Sequence, residues 1–204
     1  GEAEQNLGHI GIGRFKVISK LPNLRGRSIS VDRVVSYVAG SLDRLRVDRL
    51  YGLLLHSSGD LQGQGGSNLY AGLQACKEFG LVEKVGVSIY DPSELNSIVP
   101  QWPMDLIQGP FSIFDRRLED SGWLKLLHQS GVEIFARSVF LQGLLLMDFG
   151  RRPTKFERWN HLWRQRHQWL DKEKLSALSA CLEFVFRRPE IDKVIVGVNS
   201  RSQL

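Results

Sequence analysis

Short apolar runs alternate with longer amphipathic stretches along the whole chain of 204 residues. Several runs are apolar at consecutive positions, which is typical of parallel strands that are covered on both faces. Strands that alternate with helices across short loops favour right-handed βαβ units and therefore an α/β fold. The pattern predicts six strands: Phe15–Ser19, Leu50–Leu55, Lys84–Ser88, Leu106–Phe111, Glu133–Ser138 and Lys193–Gly197.

Local signals mark where the intervening helices begin and end. Ser30 is the predicted N-cap of a helix whose apolar residues recur at helical spacing from Val31 to Leu45. Asp91-Pro92-Ser93-Glu94 combines an acidic N-cap, a proline in the first turn and a glutamate three residues on. Three further helices are predicted: one capped by Asn68 that ends before Gly80, one from Leu118 to Gln129, and one from Lys174 to Arg187.

The predicted strand number suggests part of a (β/α)8 TIM barrel, which has eight strands and about 250 residues. We therefore expect a single incomplete barrel domain over residues 1–204, with strands and a final helix missing at the ends. The segment Leu141–Lys172 lies between a strand and its helix, on the side where barrel loops bind ligands. We expect it to be a lid-like insertion.

Composition excludes few classes. Hydrophobic residues at 42% and charged residues at 24% are ordinary for a globular protein, and no apolar run approaches the ~20 residues of a membrane span. Cys76 and Cys181 lie in amphipathic patterns, which predicts reduced core thiols and a cytoplasmic setting. The net charge of +5 fits an anionic ligand, nucleic acid or simple solubility. No zinc-ligand spacing or P-loop is present, so no metal is predicted.

Two polar residues end two of the apolar strands. Lys20 ends the first predicted strand region and His56 follows Leu50–Leu55. Ligands and catalytic residues of parallel α/β proteins collect at this edge, and a lysine and a histidine there can tune the proton affinity of a third group. Each also has a structural interpretation, as a solvated strand end. Together they favour an enzyme.

A second interpretation comes from the segment Arg151–Trp169, which interleaves six basic residues with four aromatic ones. Basic residues with aromatic rings can clamp single-stranded nucleic acid. The alternative is a lid helix whose tryptophans pack on the barrel or line a substrate pocket. We favour the lid, because no recognised nucleic-acid module is present.

Several segments follow one another in a characteristic order and spacing: Gly1–Gly8, Val17–Lys20, Leu42–Leu45 with Val47-Asp48, Leu54–His56, Gly80–Val82 with Gly86–Ser88, Leu106–Gln108, Ala136–Ser138 and Ile195–Gly197. Over nearly the whole chain they resemble the aldo-keto reductase family. The resemblance implies a (β/α)8 barrel that binds NADPH at the carboxyl ends of its strands and reduces a carbonyl group by hydride transfer.

The resemblance also implies a catalytic tetrad of Asp, Tyr, Lys and His. Lys20 matches the lysine and His56 the histidine. The tyrosine would directly precede Gly1, with the aspartate a few residues earlier, so we expect these 204 residues to be inactive by themselves. A catalytically silent barrel, serving as a cofactor-binding or interaction subunit, stays open as an alternative.

Roles for the matched residues follow from the family chemistry. Lys20 would favour the phenolate and lower the tyrosine's ordinary pKa of ~10, and His56 would donate a hydrogen bond to the carbonyl oxygen. Ser88 and Gln108 match residues that hold the nicotinamide carboxamide; Ile89 stands where the family usually has Asn. Arg137 takes the position of an aromatic that stacks on the nicotinamide, and its charge should favour the reduced cofactor.

The phosphates would be held by two later segments. Ser138, Gln142 and Gly143 begin the loop that crosses the pyrophosphate in relatives. Gly197, Asn199, Ser200 and Gln203 lead into a helix N-terminus suited to phosphate. Arg201 could add charge near a 2′-phosphate, although the family's arginine aligns better with Gln203. The resemblance implies NADP(H) as cofactor and a small carbonyl compound as substrate, with no nucleic acid and no membrane as partners.

Overall fold

A computed structural model describes residues 1–22 and 29–203, which form two compact units. The first unit comprises Gly1–Gly109 with Gln129–Glu133, and the second comprises Pro110–His128 with Ile134–Leu204. No helix in the described ranges is both long enough and apolar enough to cross a membrane.

The first unit begins the alternation of helices and strands. Its strands are parallel to one another and follow the order of the sequence, with Lys20 beside Leu54 and Ser88 beside Gln108 in the register. Its elements are α1 Glu2–Ile10, β1 Ile18–Lys20, α2 Val31–Leu45, β2 Leu50–Leu55, α3 Gly66–Glu78, β3 Val82–Ser88, α4 Leu95–Ile98 and β4 Leu106–Pro110.

The second unit continues the same pattern. Its two strands are parallel, with Ala136 beside Val194. Its elements are α5 Arg117–Asp120, α6 Trp123–Gln129, β5 Glu133–Arg137, α7 Asn160–Glu173, α8 Ala177–Phe186 and β6 Lys193–Val194. Short 3-10 helices at Leu144–Leu146, Phe149–Arg151 and Thr154–Trp159 occupy the insertion before α7. The single-domain assignment and the lid-like role of 141–172 stay predictions.

The strongest local signals were confirmed. Every residue of β2 is buried, as its uninterrupted apolar run requires. Ser30 caps α2 by accepting a hydrogen bond from the backbone N–H of Arg33. Asp91 and Glu94 form the predicted capping box around Pro92, although the helix there is a 3-10 turn followed by the short α4.

Three helix predictions were wrong in their bounds. α3 begins at Gly66, and the Asn68 side chain donates to the Ile29 carbonyl instead of capping the helix. The predicted helix from Leu118 to Gln129 is two helices, because Gly122 adopts a φ of 81° between them. Lys174 ends α7 in the left-handed conformation, so α8 begins only after the Ser176 N-cap.

The strand bounds also differ from the predictions. β1 lacks the predicted residues Phe15 to Val17 and includes Lys20, while β6 has two residues instead of five. β3 begins two residues earlier than predicted, at Val82, and β4 and β5 each end one residue earlier. The carboxyl ends of the strands, where the candidate residues lie, were therefore located within about three residues by the apolar pattern.

Close packing of α2 against α3 depends on Gly72. A Cβ atom at this buried position would lie 2.6 Å from Cβ of Val34. We expect Gly72→Ala to lower the free energy of unfolding by about 1–2 kcal/mol, because the overpacking cost exceeds the gain in helix propensity. Urea unfolding monitored by circular dichroism measures this change.

Gly40→Ala is the matched control, since Gly40 also lies inside a helix but its added Cβ would meet only the flexible end of Arg44, at 3.2 Å. This variant should stabilise the protein by up to about 1 kcal/mol. Equal stabilisation by both substitutions would contradict the close approach at Gly72.

Candidate active site

Lys20 lies at the carboxyl end of β1 and is half-buried. Its ammonium Nζ donates a hydrogen bond to Oε1 of Gln108, at 2.6 Å. The two residues are 88 positions apart in the sequence, and the parallel strands of the first unit bring them together. A charged donor at this distance makes one of the stronger hydrogen bonds in a protein.

Gln108 also accepts from Ser88. Both side chains are buried, and Oγ of Ser88 donates to the same Oε1 at 3.2 Å. The resemblance pointed to Gln108 and Ser88 as ligands of a carboxamide, with a hydrogen-bonded polar group inside the barrel as the alternative for Gln108. The link from Lys20 through Gln108 to Ser88 was not predicted. The sequence signal for this link was Gln108 itself, a polar residue inside an otherwise apolar buried strand. Such a side chain needs a hydrogen-bonding partner.

His56 directly follows β2 and is largely exposed. Partial burial and the positive charge of Lys20 both lower its pKa, against a smaller opposite effect from Asp60. The imidazole is therefore mainly neutral at pH 7. Because the unfolded chain binds this proton at a higher pH than the folded chain does, acidification below about pH 6.5 favours unfolding through this group.

Asp60 is a further residue near His56 that the sequence analysis did not single out. It is buried and ends a 3-10 turn, Ser58–Asp60. Its negative charge raises the pKa of His56, so the two side chains are within electrostatic range. The available sequence signal was an acidic residue four positions after the histidine that ends a strand. The 3-10 turn brings this acidic residue close enough to affect the histidine.

Glu94 fixes the loop after β2 to the loop after β3. Its carboxylate accepts hydrogen bonds from Ser58 Oγ and from the backbone N–H groups of Tyr90 and Asp91, the latter two at 2.8 and 2.7 Å. Between these groups and the end of β3 lies Ile89, whose side chain is fully buried. Ile89 therefore adds no polar side chain at this edge.

The second unit contains the other residues predicted to bind a cofactor. Arg137 ends β5, is half-buried, and donates from Nη1 to Ser138 Oγ at 3.1 Å. The following loop is tightly wound: φ is positive at Ser138, Leu141, Gln142 and Gly143. Three of these four are not glycine, and such left-handed conformations persist only where the surrounding structure imposes them. Such conformations cluster at ligand-binding sites, and the assignment of this loop to the pyrophosphate stays a prediction.

The segment after β6 is exposed, including Gly197, Asn199 and Ser200. The backbone N–H of Asn199 donates to Oε1 of Gln203 at 2.7 Å, so Gln203 caps the 3-10 turn Arg201–Gln203. The structure thus brings Lys20, His56, Ser88 and Gln108 together in the first unit. Within the second unit, Arg137, Ser138, Gln142 and Gly143 form one group, and the residues after β6 form another.

The two cysteines are outside these groups. Cys76 and Cys181 are buried and free. Burial raises the pKa of the Cys76 thiol to about 11 and also raises the pKa of Cys181. Both are therefore thiols at neutral pH, in line with the predicted core role.

Comparison with known proteins yields one family. The model of the Aldo/keto reductase family matches residues 2–204. Aflatoxin B1 aldehyde reductase member 2 of Rattus norvegicus is 25% identical over 250 residues, covering 100% of this chain and 66% of its own length. An uncharacterized oxidoreductase of Bacillus subtilis, YqkF, is 25% identical over 178 residues, covering 82% of this chain and 56% of its own length. The chain thus spans less than two thirds of either relative.

Solved structures show the same fold. Aldo-keto reductase AKR11C1 from Bacillus halodurans, in its holo form, has a TM-score of 0.76 at 22% identity, with 98% of this chain and 68% of that chain covered. The glycerol dehydrogenase AKR11B4 from Gluconobacter oxydans gives 0.72 at 19% identity, with 94% and 67% covered. The predicted incomplete (β/α)8 barrel is confirmed, with six parallel strands among residues 1–22 and 29–203.

The electrostatic link between Lys20 and His56 is measurable. In Lys20→Met, the pKa of His56 should rise, because the neighbouring positive charge is gone. It should stay below its ordinary value, because burial is the larger cause. NMR titration of the imidazole carbon-bound protons reports the midpoint.

Lys16→Met is the matched control. Lys16 precedes β1, and its ammonium lies over the ring of Tyr51, 4.4 Å from the centroid. This variant loses the same charge at the opposite end of the strand and should leave the His56 titration unchanged. The same midpoint in both variants would mean that Lys20 does not act on His56.

Proposed function

The chain belongs to the aldo/keto reductase family, and we propose that the whole protein reduces an aldehyde or ketone to an alcohol with NADPH as hydride donor. The observation that carries the proposal is the position of Lys20, which ends a strand beside Gln108 and acts electrostatically on His56. Members of the family typically use nicotinamide cofactors, and the two curated relatives above are named as an oxidoreductase and an aldehyde reductase.

The residues at the strand ends suit a nicotinamide carboxamide. That amide needs one donor and one acceptor, which the buried pair of Ser88 and Gln108 can provide. NADPH, when bound, supplies a hydride to the carbonyl carbon and becomes NADP⁺, while the carbonyl oxygen gains a proton. Ile89 offers no third polar contact, so the amide depends on these two side chains.

In the proposal, Lys20 and His56 promote transfer of a proton to the carbonyl oxygen. Negative charge develops on the carbonyl oxygen, and preorganised donors there lower the barrier. In the proposal, His56 is neutral and donates one hydrogen bond to this oxygen. Lys20 keeps its ammonium near the family's tyrosine, which the resemblance places before Gly1, and makes that phenol a stronger acid.

We assign the pyrophosphate to the left-handed loop of Ser138, Gln142 and Gly143, and the adenosine phosphates to Gly197, Asn199, Ser200 and Gln203. Arg201 is exposed beside these residues, and its charge favours NADPH over NADH, because a 2′-phosphate needs a cation.

The proposed partner is a small carbonyl compound, in a cytoplasmic protein that binds no nucleic acid. Two observations support this. Arginines of the insertion lie over its own tryptophan rings: Arg152 is 4.3 Å from the Trp163 centroid and Arg158 is 3.8 Å from that of Trp159. One face of each of these two rings is therefore covered by a guanidinium, which leaves less ring surface for base stacking. The free buried thiols fit a reducing compartment.

Substitution of Lys20 or His56 tests the proposal in the complete protein. Lys20→Met and His56→Ala should each lower kcat/KM for carbonyl reduction by about 10²–10⁴-fold, the usual contribution of a positioned proton-transfer group. Loss of NADPH absorbance measures turnover, and quenching of tryptophan fluorescence measures NADPH binding, which should stay within about threefold of the wild type.

Lys16→Met should retain full activity, because its ammonium is at the other end of the strand. If the wild-type protein binds NADPH but reduces none of a panel of aldehydes, ketones and keto acids, the silent-barrel alternative holds and the enzymatic proposal fails. Equal turnover by wild type and Lys20→Met would contradict the proposed role of the lysine, on which the proposal depends.

Arg137 provides a second test, on cofactor preference. A guanidinium stacked on the nicotinamide repels the cationic oxidised ring more than the neutral reduced ring. Arg137→Leu should therefore reduce the ratio of NADPH affinity to NADP⁺ affinity by about fivefold, a modest charge–charge effect at a partly solvated site. Isothermal calorimetry with each cofactor gives both constants.

The control for Arg137 is Arg151→Leu, which removes an exposed arginine of the insertion. It should leave the ratio unchanged. An unaltered ratio in Arg137→Leu would exclude stacking at this position without affecting the assignment of Lys20 and His56.

A further inference from the structure

The second unit contains a large cavity that the proposed carbonyl reduction does not use. Its volume is about 1070 Å³, and all its lining residues belong to the second unit. No residue assigned above to proton transfer or to cofactor binding lines it. Six of its 17 lining residues are aromatic: Phe114, Phe156, Trp159, Trp163, Trp169 and Phe184.

Two helices and a 3-10 turn build this wall. Trp163 and Arg166 line the cavity from α7, three residues apart, and both are buried. Ala180 and Phe184 line it from α8, four residues apart, and Arg187 follows the last residue of this helix. This is a cavity of the size and apolar character that small ligands occupy, with few polar groups at fixed positions.

The charged groups of the wall are three arginines and one glutamate. Arg187 pairs with Glu183, with 3.3 Å between Nη2 and Oε2. Arg188 pairs with Glu119, with 2.5 Å between Nε and Oε1. Neither pair includes Arg166, which makes no carboxylate contact among the described residues and is 92% buried, with a relative exposure of 8%. A buried guanidinium without an anionic partner is costly.

Arg166 is only partly satisfied by its neighbours. Its Nη2 donates to the Leu145 carbonyl at 2.8 Å. Its Nη1 has no hydrogen-bonding partner within the described ranges. The charge and the hydrogen bonding of this guanidinium both lower the pKa of the nearby Cys181 thiol, against the larger effect of burial. A protonated thiol is nevertheless a weak acceptor and carries no neutralising charge.

A second donor in the same wall also lacks an acceptor. The indole Nε1 of Trp163 is buried and unpaired in the described structure. Trp163 and Arg166 are three residues apart on α7, so both lie on one face of the helix. The positive potential is strengthened by Arg152, whose pKa is lowered by burial and by the charge of Arg166. Both unmatched groups are donors, and an acceptor with negative charge would satisfy them.

We propose that this cavity binds an aromatic molecule with one carboxylate or sulfonate, whose rings pack on the tryptophans and whose anionic group pairs with Arg166. The site is independent of hydride transfer and does not rest on it. An uncharged aromatic compound would gain the ring contacts but leave the guanidinium unpaired. The anionic group should therefore improve affinity at least tenfold, as expected for a charge-assisted hydrogen bond in a partly buried site.

Two fluorescent probes with nearly the same rings separate charge from stacking. The complete protein is titrated with 8-anilinonaphthalene-1-sulfonate, the anion, and with N-phenyl-1-naphthylamine, its uncharged counterpart, each with NADPH absent and at saturation. The anion should bind with one saturable site, at least tenfold more tightly than the amine, and NADPH should not displace it. Equal affinities, or displacement by NADPH, would overturn the proposal.

Arg166→Gln should weaken binding of the anion about tenfold and leave the amine within twofold. Lys172→Gln is the matched control, because it removes the same charge from an exposed position of α7, and it should alter neither affinity. An unchanged preference for the anion in Arg166→Gln would falsify the assignment.

If circular dichroism shows that Arg166→Gln is unfolded, nitrogen-15 NMR of the wild type decides instead. The Trp163 indole N–H signal should shift with the anion and not with the amine. A shift with both probes, or with neither, contradicts an anionic group at Arg166. Turnover of carbonyl compounds is measured separately, so absence of reduction does not bear on this outcome.

Discussion

The parallel register of β1 to β4 is the constraint on which the candidate active site depends. It aligns the carboxyl ends of the four strands, so that Lys20, Ser88 and Gln108 meet although they are distant in sequence. The register leaves no room for a side chain at Gly86, where a Cβ would lie 1.9 Å from the Leu106 carbonyl oxygen. Packing of the apolar strand residues thus fixes the positions of Lys20, Ser88 and Gln108.

Partial burial strengthens the electrostatic interactions among the polar groups at the carboxyl ends of these strands. In a partly desolvated environment, a charge acts more strongly on its neighbours than it would in water. Lys20 affects His56 in this way, and it shares the Gln108 oxygen with Ser88.

Arginines of the second unit lie against aromatic rings, whereas Lys20 in the first unit donates to the Gln108 side chain. The insertion packs guanidinium groups against its own rings, as Arg152 does over Trp163, and thereby keeps basic residues beside apolar walls. Stacking stabilises the aromatic face of each pair but does not satisfy the N–H donors at its edge. Arg152 keeps unmatched donors in this way. Trp163 and Arg166 also have unmatched donors, and these groups distinguish this part of the chain from a packed core.

Sequence alone determined the elements that local forces specify: the buried run of β2, the Ser30 cap and the capping box at Asp91. It failed where a distant contact decided the outcome, as at Asn68, which bonds to Ile29 instead of capping α3. The resemblance supplied Lys20 and His56 as candidates, but neither the Gln108 link nor the charge of Asp60 near His56 was foreseen. Hydrogen bonds and electrostatic effects act between neighbours in space, and only the tertiary fold determines which residues become neighbours.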